Sequence, residues 1–437
     1  ESFQKAIEIN PECAEAYFNM GMILKDKGEL DAAIENYQKV IKIDPNSAGA
    51  YHNIGIAVEA NGDLAGAIKY LEKAVSIKPD CAKTYLNMGT ILKEKGDLQA
   101  AIESYQKGIQ IDPNAFEVYN SMGNAFLAVG DLIQALNSFR KAIKIKPDYA
   151  EAYNNIGVTL SVKSDHKGAI IAYHQSLLIN PSFVGAYYNL GTSLNSQGKT
   201  DEAIEAYKQV LELDPDNVAA KHILSALTGQ QTTSAPSVYV EALFDDYAVR
   251  FDQSLVDHLK YNVPKLIAEL ILEHQTDAPL GSVLDLGCGT GLAGVELKDF
   301  CQEIEGIDLS KKMLAKARQK NVYSELNHNS IIEYLAEAPL DFDLFLSTDV
   351  FVYVGELSEV FRLIKSRNKR HGRLAFSTEH TKKAGFFLEA SGRYSHSKSY
   401  IDSLCDKFDY QLLNFSTIDL RKSRSKFITG GLYLLEF

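Results

Sequence analysis

The spacing of hydrophobic residues changes once along the chain, near Leu227. Before that point, apolar side chains recur at the spacing of amphipathic helices, interrupted by short turns such as Gly62-Asp63 and Gly96-Asp97. After residue 238, short apolar runs alternate with amphipathic stretches, as in a parallel sheet covered by helices. The pattern predicts a helical region at 1–227, a polar, flexible linker at 228–238 and an α/β domain at 239–437.

The helical region repeats with a period of 34 residues. Seven of the 11 prolines keep this spacing: Pro11, Pro45, Pro79, Pro113, Pro147, Pro181 and Pro215. The prediction is six full units at 14–47, 48–81, 82–115, 116–149, 150–183 and 184–217, with a truncated unit at 1–13 and a capping helix at 218–227. Because one unit cannot bury its apolar stripe alone, neighbouring units are expected to stack into an α-solenoid.

This pattern resembles the tetratricopeptide repeat, with Tyr in place of the usual Trp. The resemblance implies a superhelix whose concave groove binds a protein or peptide. Five of the six units carry an Asn two positions after the first-helix Tyr: Asn19, Asn53, Asn87, Asn155 and Asn189. They look like the asparagine ladder of O-linked N-acetylglucosamine transferases, which grips polypeptides, and an amide suits the backbone of an extended peptide. The alternative is that they are solvated repeat-consensus residues.

The C-terminal region is predicted to hold a sheet with an antiparallel edge. Four strands are expected at Ser282–Leu286, Glu303–Ile307, Phe342–Ser347 and Arg373–Ser377, and three helices at Gly291–Phe300, Ser310–Lys320 and Glu356–Lys369. Two further β-rich runs, Tyr410–Leu420 and Phe427–Phe437, have no helix between them, which predicts an edge hairpin. Helical segments are expected near 239–250 and 254–273.

A glycine-rich turn follows the first of these strands, in the string Val283-Leu284-Asp285-Leu286-Gly287-Cys288-Gly289-Thr290-Gly291. Glycines let the backbone approach a ligand at the end of a strand, where open α/β sheets bind ligands. The second strand ends at Asp308, whose carboxylate can accept hydrogen bonds from both hydroxyls of a ribose. The dinucleotide fingerprint expects a third Gly at the position of Leu292, which argues against NAD.

The string VLDLGCGTG resembles the first motif of class I S-adenosylmethionine-dependent methyltransferases, which have a Rossmann-like fold. Phe342–Val350 looks like their fourth-strand motif. The stretches 242–248, 251–252, 353–357 and 391–397 resemble bacterial predicted methyltransferases that carry tetratricopeptide repeats.

The resemblance implies S-adenosylmethionine as cofactor and assigns residues to it. Gly287, Gly289 and Gly291 would surround its methionine part, with Asp285 near the amino group. Asp308 would hold the ribose beside Leu309, and Tyr247 and Phe251 would close over the cofactor. Many relatives read the adenine with an Asp, for which Asn329 or Ser330 stands here.

Residues for the methyl acceptor are expected after the fourth and fifth strands. Asp349 would face the transferred methyl. A base is needed only if the acceptor loses a proton, and the candidates are Asp349, Glu379, His380, Tyr394 and His396. His396 with Arg393 is favoured, and Arg393 would suit an anionic acceptor group. The alternative for His396 is a surface or helix-capping role. Cys288 is interpreted as a packing residue and the run 421–426 as a solvated hairpin turn.

Composition restricts the partners. The net charge is −12 and neither half is basic, which argues against nucleic acid and anionic membranes. No run of about 18 apolar residues exists. Five scattered cysteines give no metal signature and fit a reducing compartment, so a cytoplasmic location is expected. The chain begins without Met and inside a repeat, which indicates a fragment and weakens that expectation.

The leading hypothesis is a methyltransferase whose repeats recruit a protein substrate or partner. The second is an adaptor with an inactive, cofactor-sensing domain. The acceptor, a polypeptide or a small metabolite, stays open.

Overall fold

The computed structural model describes residues 2–248, 251–253, 261–275, 279–423 and 426–437. Residues 249–250 and 254–260 of the predicted helical segments lie outside this range. The chain divides into two compact units, Glu1–Gly198 and Lys199–Phe437. No helix among the described residues combines the length and the hydrophobicity needed to cross a membrane.

The repeats form antiparallel helix pairs, as predicted. The first unit holds α1 (Ser2–Ile9), α2 (Ala14–Asp26), α3 (Leu30–Ile43), α4 (Ala48–Ala60), α5 (Leu64–Ile77), α6 (Ala82–Lys95), α7 (Leu98–Ile111), α8 (Phe116–Val129), α9 (Leu132–Ile145), α10 (Ala150–Val162), α11 (His166–Ile179) and α12 (Val184–Ser196). The helices α13 (Thr200–Leu213) and α14 (Val218–Thr228) belong to the second unit.

The turn inside each repeat ends one helix and starts the next. Gly28, Gly62, Gly96, Gly130 and Gly198 have φ values between 78° and 91°, a region that glycine enters without strain. The fifth unit has Ser164 at this position, and Ser164 adopts φ 63°. In four repeats the residue immediately before the second helix is an Asp whose carboxylate accepts the N–H three residues later: Asp63, Asp97, Asp131 and Asp165.

Several repeats pack a large ring against a helix glycine. Tyr105, Phe139 and Tyr173 are buried, and a Cβ at Gly89, Gly123 or Gly157 would lie 2.5 Å from the facing ring. These glycines are therefore required by close helix packing. This explains the fixed offset between the small and the aromatic positions.

The second unit continues with helices α15 (Ser237–Tyr247), α16 (Phe251–Gln253), α17 (Val263–Glu273), α18 (Leu292–Leu297), α19 (Lys311–Gln319), α20 (Ile331–Glu337), α21 (Ser358–Arg367) and α22 (Lys398–Phe408). Its strands are β1 (Leu280–Leu286), β2 (Cys301–Asp308), β3 (Glu325–His328), β4 (Leu344–Ser347), β5 (Arg373–His380), β6 (Phe386–Leu388), β7 (Tyr394–His396), β8 (Gln411–Ser423) and β9 (Lys426–Glu436).

These strands form one mixed sheet. Strands β3, β2, β1, β4 and β5 are neighbours in that order and run parallel. Strand β9 pairs antiparallel with β5 and with β8, which confirms the predicted hairpin. The short β7 adds to the end of β5 at Glu379 and His380, and β6 pairs antiparallel with β7. One apolar cluster includes residues of α20, α21 and α22, and another includes residues of α17 and α18, so helices cover the sheet.

The segment predicted as a flexible linker is hydrogen-bonded within the second unit. Gln231 accepts the N–H of Leu388, and the carbonyl of Thr233 accepts the N–H of Glu356. The N–H of Ala235 donates to the carbonyl of Tyr353 at 2.9 Å. The flexible-coil prediction is therefore wrong, because these polar residues bond to the sheet region. The boundaries at 227 and 239 stay a prediction.

Candidate functional site

A cavity of about 510 Å³ opens at the carboxyl ends of β1, β2 and β4. This volume is typical of small-molecule sites, and the place is where open parallel sheets bind ligands. Of the predicted cofactor residues, Gly287, Gly289, Asp308, Leu309, Asn329, Tyr247 and Phe251 line it.

The glycine turn after β1 has a left-handed backbone. Gly287, Gly289 and Gly291 have φ values of 77°, 55° and 87°. A Cβ on Gly287 would lie 2.5 Å from Val350 of the neighbouring strand end, so a larger residue does not fit. The turn is therefore both left-handed in its backbone and closely packed.

Asp308 is held by two backbone N–H groups. Its Oδ2 accepts from Gly289 at 2.8 Å, and its Oδ1 accepts from Ser310 at 2.8 Å. Burial raises the pKa of Asp308 to about 6, although the two N–H groups oppose the shift. At neutral pH the carboxylate is therefore ionised, and each oxygen keeps a lone pair for a further donor.

Aromatic rings and two aspartates arrange the segment before the sheet. Tyr247 and Phe251 meet edge to face with ring centroids 5.5 Å apart, and Phe244 contacts Tyr353 at 5.4 Å. Asp245 accepts from Ser310 at 2.5 Å. Asp252 accepts from Thr290 and pairs with Lys320 at 2.8 Å. The described parts of this segment are thus anchored to the glycine turn and to the end of β2.

The match to known proteins follows the same division of the chain. Tetratricopeptide-repeat models match residues 2–35, 48–81 and 184–217, and a further TPR-repeat model matches 21–62, 89–130 and 123–161. A methyltransferase-domain model matches residues 278–417. The chain carries tetratricopeptide repeats and a methyltransferase domain.

Individual relatives are more distant. The ubiquinone biosynthesis O-methyltransferase of Proteus mirabilis is 26% identical over 129 residues, which cover 28% of this chain and 53% of that protein. The dTDP-3-amino-3,6-dideoxy-alpha-D-glucopyranose N,N-dimethyltransferase of Streptomyces fradiae is 37% identical over 68 residues, 16% of this chain and 26% of that protein. The chain spans about half the length of the ubiquinone-biosynthesis relatives it matches.

Solved structures match the repeats. The crystal structure of YrrB, described as a TPR protein with an unusual peptide-binding site, is 27% identical with a TM-score of 0.37. The alignment covers 43% of this chain and 96% of that one.

Asp285 of the methyltransferase domain does not line the cavity. Its side chain is fully buried and accepts a hydrogen bond from Tyr323 at 2.7 Å. Burial raises the pKa of Asp285 to about 7, while the Tyr323 bond lowers it and the charge of Asp308 raises it further. Its other carboxylate oxygen, Oδ1, is buried without a hydrogen-bond partner among the described residues, and the role of Asp285 at the cofactor amino group stays a prediction.

His396 does not reach the cavity either. Its exposed fraction is 0%, and its Nε2 lies 3.0 Å and 2.9 Å from the carbonyl oxygens of Val354 and Gly355. Burial lowers the pKa of His396 to about 4, against the opposing effect of the two carbonyls. Its prediction as a base is wrong in this structure, because a neutral imidazole bonded to backbone carbonyls between β7 and the loop after β4 has no access to an acceptor.

Asp349 lies at the end of β4 and lines the cavity. It adopts φ 59°, a region that costs a non-glycine residue energy and often marks functional sites. Its N–H donates to Ser377 at 2.8 Å. Its Oδ2 pairs with Arg421 at 2.5 Å, whereas its Oδ1 has no hydrogen-bond partner among the described residues.

Arg421 is the site residue that the sequence interpretation missed. It was expected in a solvated turn, yet it is 3% exposed and bridges Asp349 and Glu379. The pairing of β8 with β9 shifts register between Asp419 and Arg421. Such an irregularity re-aims a side chain, and no local sequence signal announces it.

Arg393, like Asp349, is a predicted acceptor-side residue that lines the cavity. Its Nε donates to the hydroxyl of Tyr353 at 3.2 Å, and its guanidinium lies 5.8 Å from the centre of that ring. Cys288 is buried, and burial raises its thiol pKa well above the usual range, so it stays protonated and suits packing.

The repeat asparagines bond mainly to neighbouring repeats. Asn155 donates to Asn120 at 3.0 Å and Asn189 donates to Asn154 at 3.0 Å, each across a separation of 35 residues. Asn87 lies 3.3 Å from His52 with the same separation. Asn53 instead donates to Gly49 of its own helix. Where these bonds form, the amide nitrogen connects successive repeats.

Proposed function

We propose that the methyltransferase domain uses S-adenosylmethionine and that the repeats recruit its protein substrate or partner. The observation that carries the first part is Asp308, an ionised carboxylate bonded to the glycine turn at the edge of a cavity of suitable size. Its oxygens suit the two hydroxyls of a ribose. Leu309 and Asn329 line the cavity beside it and would contact the adenine.

The remaining cavity residues fit the rest of the cofactor. Gly287 and Gly289 leave space at the end of β1, and Tyr247 and Phe251 supply apolar rings on another wall. When bound, the cofactor supplies an electrophilic methyl group. The chain itself has to hold the acceptor in line with that methyl and exclude water, which is how positioning accelerates a displacement.

The acceptor side lies around Asp349, Tyr353, Arg393 and Arg421. The named relatives transfer methyl groups to oxygen or to nitrogen. Both kinds of acceptor atom carry a hydrogen that has to leave. Asp349 lines the cavity on this side, and we assign its carboxylate as the group that receives the hydrogen.

A methyl-transfer assay tests this function. The full chain is incubated with tritiated S-adenosylmethionine and a lysate, and the protein and small-molecule fractions are counted separately. We expect label in one fraction with wild type and loss of that label with Asp308→Ala. Asp402→Ala is the control, because Asp402 forms an exposed pair with Lys398 on α22. Cofactor binding without label in either fraction would instead favour the adaptor with a cofactor-sensing domain.

The groove hypothesis needs its own test. Replacing Asn53, Asn87 and Asn155 together by Ala should weaken capture of a protein partner while leaving cofactor affinity unchanged. Asn36→Ala is a matched control, because Asn36 donates to Ala32 as Asn53 donates to Gly49, but from the second helix of its repeat. Unchanged capture by the triple variant would leave the asparagines as connectors between repeats.

A further inference from the structure

Two arginines line the cavity, and they differ in whether a carboxylate of the chain bonds to their guanidinium group. Arg421 places one guanidinium nitrogen on Asp349 and the other on Glu379. Arg393 uses its Nε on the Tyr353 hydroxyl, and no described residue bonds to its two Nη groups. Of the two arginines, Arg393 is therefore the one whose Nη groups are available for a ligand.

The free end of Arg393 has access to a ligand. Arg393 is partly exposed and lines the cavity. A guanidinium has five N–H donors in a planar fork, and four of them belong to the Nη atoms. Asp349 and Glu379 are the acids whose charges act on Arg393, and both already bond to Arg421, so among the described residues no carboxylate bonds to the Nη groups of Arg393.

The position of Arg393 is fixed from several sides. Its carbonyl accepts the N–H of Glu389 at 2.8 Å, and the carbonyl of the preceding Gly392 lies 2.8 Å from Nε2 of the buried His222 on α14. Tyr353, beneath the guanidinium, is buried and accepts the N–H of Ala235 at its carbonyl. A side chain held in this way loses little entropy when it binds a ligand.

The charges nearby disfavour a ligand with two negative charges. Asp349 and Glu379 share Arg421, so these three groups carry one net negative charge if both acids are ionised, and Arg393 balances it. A dianionic phosphate would need a second unpaired cation, and the other cation lining the cavity, Lys422, is exposed to solvent. A planar carboxylate matches the two Nη groups of one arginine.

We propose that Arg393 binds a carboxylate of the methyl acceptor and that Tyr353 is the residue that positions it. The acceptor is thus a carboxylic acid that bears a separate hydroxyl or amine. This inference rests on the proposed function, since the acceptor shares the cavity with the cofactor. The inference adds the substrate class, a carboxylic acid, and assigns Tyr353 the role of positioning Arg393.

Calorimetry with benzoate tests the inference on the full chain loaded with S-adenosylhomocysteine. Methyl benzoate is the neutral match and phenyl phosphate the dianionic one. We expect wild type to bind benzoate at least about tenfold more tightly than methyl benzoate or phenyl phosphate. The Arg393→Gln variant should lose this preference for benzoate. Arg393→Lys should recover part of the affinity. Arg362→Gln removes an exposed cation that pairs with Glu359 on the same helix, α21, and should behave as wild type.

A double-mutant cycle tests the role of Tyr353. Tyr353→Phe should weaken benzoate binding several-fold in wild type and have no effect in the Arg393→Gln background, because the hydroxyl acts through the guanidinium. An equal effect in both backgrounds would show a general structural role and contradict the positioning assignment.

Two results would overturn the carboxylate proposal. One is a wild type that binds methyl benzoate as well as benzoate, and the other is an Arg393→Gln variant with undiminished benzoate affinity. S-adenosylhomocysteine affinity should be unchanged in that variant. If wild type does not bind S-adenosylhomocysteine, the proposed function fails, and the same benzoate titrations on the unloaded chain still decide the role of Arg393.

Discussion

The repeats and the methyltransferase domain build their contacts from very different distances along the chain. In the repeats, Gly123 meets Phe139 within one helix pair, and the same contact recurs at Gly89 and Gly157. In the domain, Arg421 meets Asp349 across 72 residues and Glu379 across 42. Local, repeated contacts leave a periodic signal in the sequence, whereas a single distant contact leaves none.

The largest effect is expected where the distant contact is broken. Arg421→Met leaves Asp349 and the buried Glu379 without their shared cation, and loss of one partner of a buried pair costs about 3–5 kcal/mol. Hydrogen exchange of β8 and β9 measures the free energy of unfolding of this unit. Adding Asp349→Asn and Glu379→Gln should restore most of the loss. An Arg421→Met variant with wild-type protection would show that the bridge does not stabilise the domain.

Disturbing the glycine–ring contact of a repeat should also destabilise the protein, but by less than the loss of Arg421. Gly123→Ala places a Cβ 2.5 Å from the Phe139 ring, and overpacking of this kind costs about 1–3 kcal/mol. Gly49→Ala is the matched control, because its Cβ would make an ordinary 3.4 Å contact with Phe18 and Ala favours a helix by about 0.5–1 kcal/mol. Urea denaturation followed by circular dichroism should therefore show a lower free energy of unfolding for Gly123→Ala and a higher one for Gly49→Ala. The same sign for both variants would contradict the packing argument.

Asp308 makes cofactor affinity depend on pH. Its pKa is raised to about 6, and a protonated carboxyl is a poorer acceptor for ribose hydroxyls. Binding favours the ionised form, so S-adenosylhomocysteine affinity should be flat above about pH 7. It should fall by up to about tenfold per pH unit below 6. Calorimetry from pH 5 to 8 measures this, and Asp308→Asn should remove the dependence. A wild-type affinity that rises as the pH falls would contradict the role of the carboxylate.

The smallest effect tests the one irregular repeat turn. Ser164 adopts φ 63° where other units have glycine, and a left-handed residue costs about 1–2 kcal/mol unless it is Gly. Ser164→Gly should therefore stabilise the repeats by about 1 kcal/mol. A rise in the urea midpoint checks it, whereas a fall would show that the serine side chain supplies a compensating bond.

The comparison also explains how much of the molecule the sequence predicts. The repeat units, the parallel sheet with its antiparallel hairpin and the glycine turn follow from periodicity and from patterns within about ten residues. The prediction for His396 is wrong because the direction of a side chain at a strand end depends on neighbours such as the backbone carbonyl of Val354. Asp285 lies outside the cavity lining, where it bonds to Tyr323. Arg421 was missed because a register shift, and not its local pattern, turns it inward.

The linker is a further case. Residues 228–238 have the composition of a flexible coil, yet Gln231, Thr233 and Ala235 bond to residues more than 100 positions away. Composition indicates only how flexible the segment would be on its own. The hydrogen-bond partners that fix it belong to distant parts of the folded domain, so composition cannot predict them. Ser234 and Ala235 also line the cavity, so this segment is part of the site.

The central claim is that the cavity beside the glycine turn binds S-adenosylmethionine through Asp308. Titration of S-adenosylmethionine into the full chain by calorimetry tests it directly, with Asp308→Ala beside the Asp402→Ala control. We predict saturable one-to-one binding by wild type and by the control, and a loss of at least about tenfold in affinity for Asp308→Ala. Absence of binding heat with wild type, or equal affinity for Asp308→Ala, would contradict the account.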